Sequence, residues 1–254
     1  MKIIISILCA TIIVILLIES DKINGPKGLF KEKTHSSNEG SLQKALEPQD
    51  DNQLVIPDFF VPDIIPSIVN GEKIPETQVD KLILGAVKQY GVTNSYNGAY
   101  QKLSYPNGDV DISTGVCTDV VVRAFRAINI DLQKDIHQDM SRHFRQYPRK
   151  WGLKSPDKNI DHRRVPNMEA YFTRKGFKLP IGKSTDMNHY QSGDLVVWQI
   201  HGNLTHIGIV SDEIVPNTSR YFIIHNPVQG VEISDWLKEF KIINHFRIFN
   251  QSAG

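Results

Sequence analysis

Asp194-Leu195-Val196-Val197-Trp198, Thr205-His206-Ile207-Gly208-Ile209-Val210, Tyr221-Phe222-Ile223-Ile224-His225 and Ile242-Ile243-Asn244-His245-Phe246-Arg247-Ile248 are strand-length runs rich in β-branched and aromatic residues. Clusters of Gly, Asn, Ser and Pro cut them apart, the spacing of an antiparallel sheet. Upstream the apolar period is that of helices. It predicts helices over Gln78–Tyr90, from Cys117 to Ala127, over Asp131–Tyr147 (closed by Pro148), and from Val165 to Gly176, with Pro166 in the first turn. Helices first and a sheet afterwards make an α+β layout, the helices packed on the C-terminal sheet.

Outward from this core, residues 20–75 are rich in Lys, Ser, Asn, Gly, Asp and Pro and carry no sustained period, so they read as a linker. Residues 1–19 hold one basic residue, Lys2, and an almost unbroken apolar run from Ile3 to Ile18. That is a signal peptide or a signal anchor, and Ile18-Glu19-Ser20-Asp21 lacks the small residues of a clean cleavage site. The folded domain is expected over 76–250. The chain is thus expected to be exported, to the periplasm or cell envelope, with residues 3–18 available as an inner-membrane anchor. The 254 residues balance 29 Lys and Arg against 28 Asp and Glu, for a formal charge of +1. No global field draws the chain to nucleic acid, and no phosphate-cradling glycine loop is present.

Cysteine usage is informative in an exported chain. Cys9 lies in the apolar run, which leaves Cys117 as the one thiol of the folded domain, without a disulfide partner. Cys117 falls at the first turn of a predicted helix, where unpaired N–H groups and the helix dipole favour thiolate. A small buried hydrophobe is the alternative. Two strand histidines follow, His206 and His225. A cysteine nucleophile needs a base and a third group that orients the base. His206 is the leading base, His225 its orienting partner and Asn226 the competing one. His137, Asp139, His143 and His201 offer scattered ligand types, but no paired-cysteine or His-Glu-x-x-His motif exists, so no metal and no cofactor are expected.

These residues resemble known families. Cys117 at a helix start, Ser192-Gly193-Asp194-Leu195-Val196-Val197-Trp198, Thr205-His206-Ile207-Gly208-Ile209-Val210 and Phe222-Ile223-Ile224-His225 look like the bacterial NlpC-type cell-wall peptidases of the papain-like clan. The chain more closely resembles the family called domain of unknown function 1287. That likeness runs through Gly115-Val116-Cys117-Thr118-Asp119-Val120-Val121-Val122-Arg123, Pro156 to Asn167, His206 to Asp212, and His225-Asn226. It extends from about Gln78 to Phe249.

The resemblance implies a papain-like amidase or peptidase acting on peptidoglycan peptide stems. Cys117 would attack the carbonyl, His206 would carry the proton, and His225 or Asn226 would orient His206. Tyr105 stands roughly where those enzymes keep an oxyanion-site tyrosine, with Tyr96 and Tyr100 nearby. The chain departs from the NlpC pattern in having Thr118-Asp119 after the cysteine, where Ser-Gly is usual. Asp119 would cap the helix or bind a substrate amine. In Asp161-His162-Arg163-Arg164, the adjacent arginines are suited to clamp a carboxylate bidentately, and His162 to enter the site. Two other readings stay open: a non-catalytic envelope binding module on the same fold, and a thiol acyl hydrolase or transferase with another substrate.

Overall fold

A computed structural model describes residues 75–182, 189–202 and 204–249. The signal or anchor expected over 1–19 and nearly all of the linker expected over 20–75 lie outside the described residues. Among the described residues, no helix is long and apolar enough to cross a membrane.

Helix α1 (Gln78–Val87) begins at a reciprocal cap. The Thr77 hydroxyl accepts the Asp80 N–H at 3.0 Å, and the Asp80 carboxylate accepts the Thr77 N–H at 2.9 Å. Its buried stripe, Leu82, Ile83, Ala86 and Val87, packs on α2 (Cys117–Arg126). In α2 nine of ten residues are buried, so this helix is the centre of the domain rather than an amphipathic cover. Before it, β1 (Ser95–Tyr96) and β2 (Thr114–Gly115) pair in parallel, with Tyr96 opposite Gly115. Helix α3 (Leu132–His143) ends earlier than its apolar period suggests. Its last turn tightens into a 3-10 segment, Phe144–Gln146, and the Tyr147 hydroxyl returns to Asp139 at 2.7 Å. A second 3-10 turn, Asp161–Arg163, leads into α4 (Val165–Arg174).

The strands of the remaining described residues are β3 (Lys178–Leu179), β4 (Leu195–Ile200), β5 (Leu204–Ile214), β6 (Tyr221–His225), β7 (Glu232–Ser234) and β8 (Lys241–Phe246). All neighbours are antiparallel, in the order β3-β8-β4-β5-β6-β7. The fold is α+β. Leu195, Val197, Ile207, Ile209, Ile224 and Phe246 share one apolar cluster with the helices. Their strand neighbours Val196, Trp198, Ile200, Val210 and Ile223 form a second cluster with Tyr190, Val228 and Leu237. Both faces of the sheet are therefore covered, which is why β4 is nearly continuously apolar instead of alternating.

The Gly193-Asp194 element works as a clasp at one end of this sheet. The buried Asp194 carboxylate accepts Arg247 Nε at 2.8 Å, Arg247 Nη2 at 2.7 Å and the Gln191 N–H at 2.8 Å, and pairs with His245 Nε2 at 2.7 Å. Charge-assisted bonds of this kind hold the end of β8 against the start of β4.

Candidate active site

The site lies at the opposite end of β4 and β5, where the helix carrying Cys117 meets the start of β5 and the end of β6. Val116 precedes α2 in an extended conformation, and its N–H is accepted by the Asp119 carboxylate at 2.7 Å. Asp119 thus caps the helix on which Cys117 sits. The Cys117 thiol lies beside the backbone N–H groups of Ile207 and Thr118 and the hydroxyl of Tyr96. The parallel β1–β2 ladder explains Tyr96, since its partner Gly115 is two residues before the cysteine.

Electrostatically the thiol differs from the expectation of a ready thiolate. Cys117 is 4 % exposed, and burial pushes its pKa up to about 11, against the lowering effect of nearby backbone N–H groups. The nearby Asp119 charge acts in the same upward direction as burial. Tyr96 is raised well above an ordinary phenol, first by burial and then by the charges of Cys117 and Asp119.

His206 and His225 are brought together. His206 Nε2 and His225 Nδ1 are 2.7 Å apart, and His225 Nε2 is 2.9 Å from Ser234 Oγ. Ser234 is diagonal to His225 across the β6–β7 pair, where His225 stands opposite Glu232 and Ile223 opposite Ser234. Trp236 packs on His225 with ring centroids 4.5 Å apart, and on His206 at 5.8 Å. His206 is paired with Trp198 across β4–β5, so its side chain leaves the strand on the face opposite Ile207. Both groups meet the same stretch of β5: Ile207 lies beside Cys117, and His206, immediately before it, is hydrogen-bonded to His225. Burial lowers His206 to about 3 and holds His225 well below the ordinary histidine range, the neighbouring His206 adding to the depression. At neutral pH both rings are neutral. Gly208, next on the histidine's face, has no room for a side chain, because a Cβ there would stand 2.5 Å from Ile223 Cγ2 and 3.2 Å from His225 Cβ.

The other expected residues take different positions. Asn226 does not orient His206. Its Nδ2 donates to Gly115 O at 3.1 Å and Ser95 O at 3.3 Å, and its Oδ1 accepts the Gly230 N–H at 3.3 Å, so it pins the β1–β2 ladder to the end of β6. Tyr105 packs edge-on against His137, with ring centroids 5.2 Å apart, and Lys158 lies over its ring; Tyr96 is the tyrosine at the sulfur. Arg163 and Arg164 do not form one clamp, because the 3-10 turn sends their side chains apart. Arg163 is buried against Asp119 and the carbonyls of Asn97 and Ala99. Arg164 stacks on Trp151, 4.0 Å from the ring centroid. Asp119 is consumed by Arg163 and the Val116 N–H, which leaves helix capping as its role and removes the substrate-amine reading. His162 is buried, its pKa lowered to about 4 by desolvation, with the charges of Asp119, Arg163, Arg126 and Asp131 around it. Among the described residues no group of His, Cys, Asp and Glu has the arrangement of a metal site.

Fold and site together define an α+β protein in which the one thiol among the described residues is buried beside β5, whose His206 is hydrogen-bonded to His225 at the end of β6. The chain belongs to the family described as domain of unknown function (DUF1287), whose model matches residues 83–248. It is similar to a protein of Escherichia coli (strain K12) described as "Uncharacterized protein YijF", with 46 % identity over 165 residues, covering 65 % of this chain and 79 % of that protein.

Proposed function

We propose that this chain is an exported cysteine amidase or peptidase of papain-like, NlpC-type fold that cleaves an amide bond in the peptide part of peptidoglycan. The observation that carries the reading is the meeting of both groups on one stretch of β5: the Cys117 thiol lies beside Ile207, and the preceding His206 is hydrogen-bonded to His225.

The chemistry follows from the two shifted groups. With the thiol near 11 and His206 near 3, the resting pair is neutral thiol and neutral imidazole, not thiolate and imidazolium. His206 therefore acts as a general base during attack, taking the thiol proton as sulfur bonds to the carbonyl carbon. The Tyr96 hydroxyl and the backbone N–H of Cys117 stand beside the sulfur, where they serve the developing oxyanion. Collapse of the tetrahedral adduct breaks the C–N bond, His206 returns the proton to the leaving amine, and water hydrolyses the thioester with His206 again as base.

A second reading, a non-catalytic envelope binding module, is favoured by one observation: the thiol is buried and its pKa is raised instead of lowered. Incubation of the full chain and of Cys117→Ala with peptidoglycan sacculi, read by mass spectrometry, separates the two. Release of defined peptide fragments by the wild type alone is expected. Equal release by both proteins defeats the proposal, and binding of sacculi without release supports the module.

A further inference from the structure

We propose that Ser234 is a positioning residue that holds the buried imidazole pair in the one proton arrangement in which His206 can accept a proton. The proposal deepens the reading of His206 as the base and rests on it.

Two neutral imidazoles carry one ring proton each. A single proton occupies the 2.7 Å gap between His206 Nε2 and His225 Nδ1. If His225 Nδ1 owns it, the one ring proton of His206 must be on Nδ1, and His206 has no lone pair left to act as a base. If His206 Nε2 owns it, the His206 Nδ1 lone pair is open, and His225 must carry its own proton on Nε2. That second N–H points at Ser234 Oγ, 2.9 Å away. Once His206 has taken the thiol proton, both of its nitrogens are donors, so only this second arrangement survives proton uptake. Every catalytic cycle therefore needs an acceptor at His225 Nε2, and Ser234 supplies it.

The surroundings strengthen the case. His225 is fully buried, and Trp236 packs against its ring, so an N–H on Nε2 without an acceptor would be costly. Ser234 is half-buried on β7, the last strand in the sheet order, so its own hydroxyl proton can turn outward while Oγ accepts. A serine hydroxyl both donates and accepts, so it selects an arrangement less firmly than a group that only accepts. Ser234→Ala removes the acceptor. Ser234→Asp replaces it with one that can only accept, which favours the active arrangement more strongly.

The test reads proton positions directly. The full chain is labelled with ¹⁵N-histidine, and two-bond ¹H–¹⁵N correlation spectra assign each ring nitrogen at pH 7. The wild type and Ser234→Thr are expected to show both His206 and His225 protonated on Nε2, with both Nδ1 atoms bare. Ser234→Ala is expected to move part of the population to Nδ1–H on both rings and to slow release of sacculus fragments about five- to tenfold, the order of one lost neutral hydrogen bond. Ser234→Asp is expected to keep the Nε2–H pattern and to exceed the wild-type rate. His206 protonated on Nδ1 in the wild type, or an unchanged pattern in Ser234→Ala, overturns the proposal. The expected nitrogen pattern in a protein that releases nothing from sacculi would leave Ser234's hold on the tautomers standing and count against the hydrolase reading alone.

Discussion

Arg163 spans Asp119 and the loop ahead of the cysteine helix: its Nε and Nη2 reach the carboxylate at 3.0 and 2.9 Å, while Nη2 and Nη1 hold the carbonyls of Asn97 at 2.8 Å and Ala99 at 3.1 Å. Both side chains are almost wholly buried. The pair therefore couples the cap of α2, and with it the placement of Cys117, to the segment that begins at Tyr96.

Removing one member leaves the other charged and buried. Arg163→Ala is expected to cost about 3–5 kcal/mol of stability, as does breaking buried pairs generally. Arg163→Lys should recover little of it, because an ammonium cannot reproduce the fork that serves carboxylate and carbonyls together. Urea unfolding monitored by circular dichroism measures both. Full stability for Arg163→Lys would contradict the fork argument.

The thiol's reactivity should follow its raised pKa. In the free protein, alkylation of Cys117 by iodoacetamide is expected to rise roughly tenfold per pH unit from pH 7 to 10, levelling only near 11. The unfolded chain should level near 8.5, the value of an unperturbed cysteine. A plateau at neutral pH in the folded protein would mean a thiolate–imidazolium pair and would sink the neutral-pair account.

Mild acid should destabilise the fold through its buried histidines. His162 (near 4), His206 (near 3) and His225 are neutral when folded but take up protons below about 6.5 when unfolded. The unfolded state then binds more protons, so stability is full above that pH and lost as pH falls. Asp161 opposes this, because burial raises its carboxyl to about 6 and the folded state holds its proton first. Asp135, Glu169 and Glu232, raised chiefly by burial, act with Asp161, while His137, lowered by burial, adds to the loss, and the three buried imidazoles set the downward direction as pH falls from 6 to 4. Chemical unfolding at stepped pH gives the slope directly. A flat profile over that interval would show that these histidines are solvated.

Much of the layout was legible because long elements carry a period. The runs over 78–90 and 195–198 announce a helix and a strand through spacing alone, and four helices and four strands stand close to where the pattern puts them. What escaped is short or non-local. β1, β2 and β3 have two residues each and β7 has three, too few for any period. His225 beside His206 was readable, since they sit on successive antiparallel strands. Tyr96 at the sulfur depends on a parallel pairing across 18 intervening residues, from Tyr96 to Gly115, and no local signal chooses it over Tyr105. Arg163 and Arg164 are adjacent in sequence, but the 3-10 turn decides that one is buried on Asp119 and the other stacks on Trp151. Ser234 carries no signal of its own, because serine on an edge strand is ordinary.

Gly208 shows how closely the strand that carries His206 is fitted. A methyl group there would meet Ile223 Cγ2 at 2.5 Å, closer than carbon atoms approach, with His225 Cβ at 3.2 Å. Ile223 is fully buried between β5 and β7, so it cannot swing clear. Gly208→Ala is expected to lose about 1–3 kcal/mol by overpacking and to displace His225 from His206. Its effect on fragment release should therefore exceed what the stability loss predicts, since a shift of a few tenths of an ångström disturbs a 2.7 Å hydrogen bond. A control in the same core, Val210→Ala, removes volume from the second apolar cluster without adding an atom against Ile223 or His225. Comparing the two at matched stability, by unfolding and by sacculus digestion, separates packing from geometry. Equal activity in Gly208→Ala and Val210→Ala would mean that the glycine serves the core and not the imidazole pair.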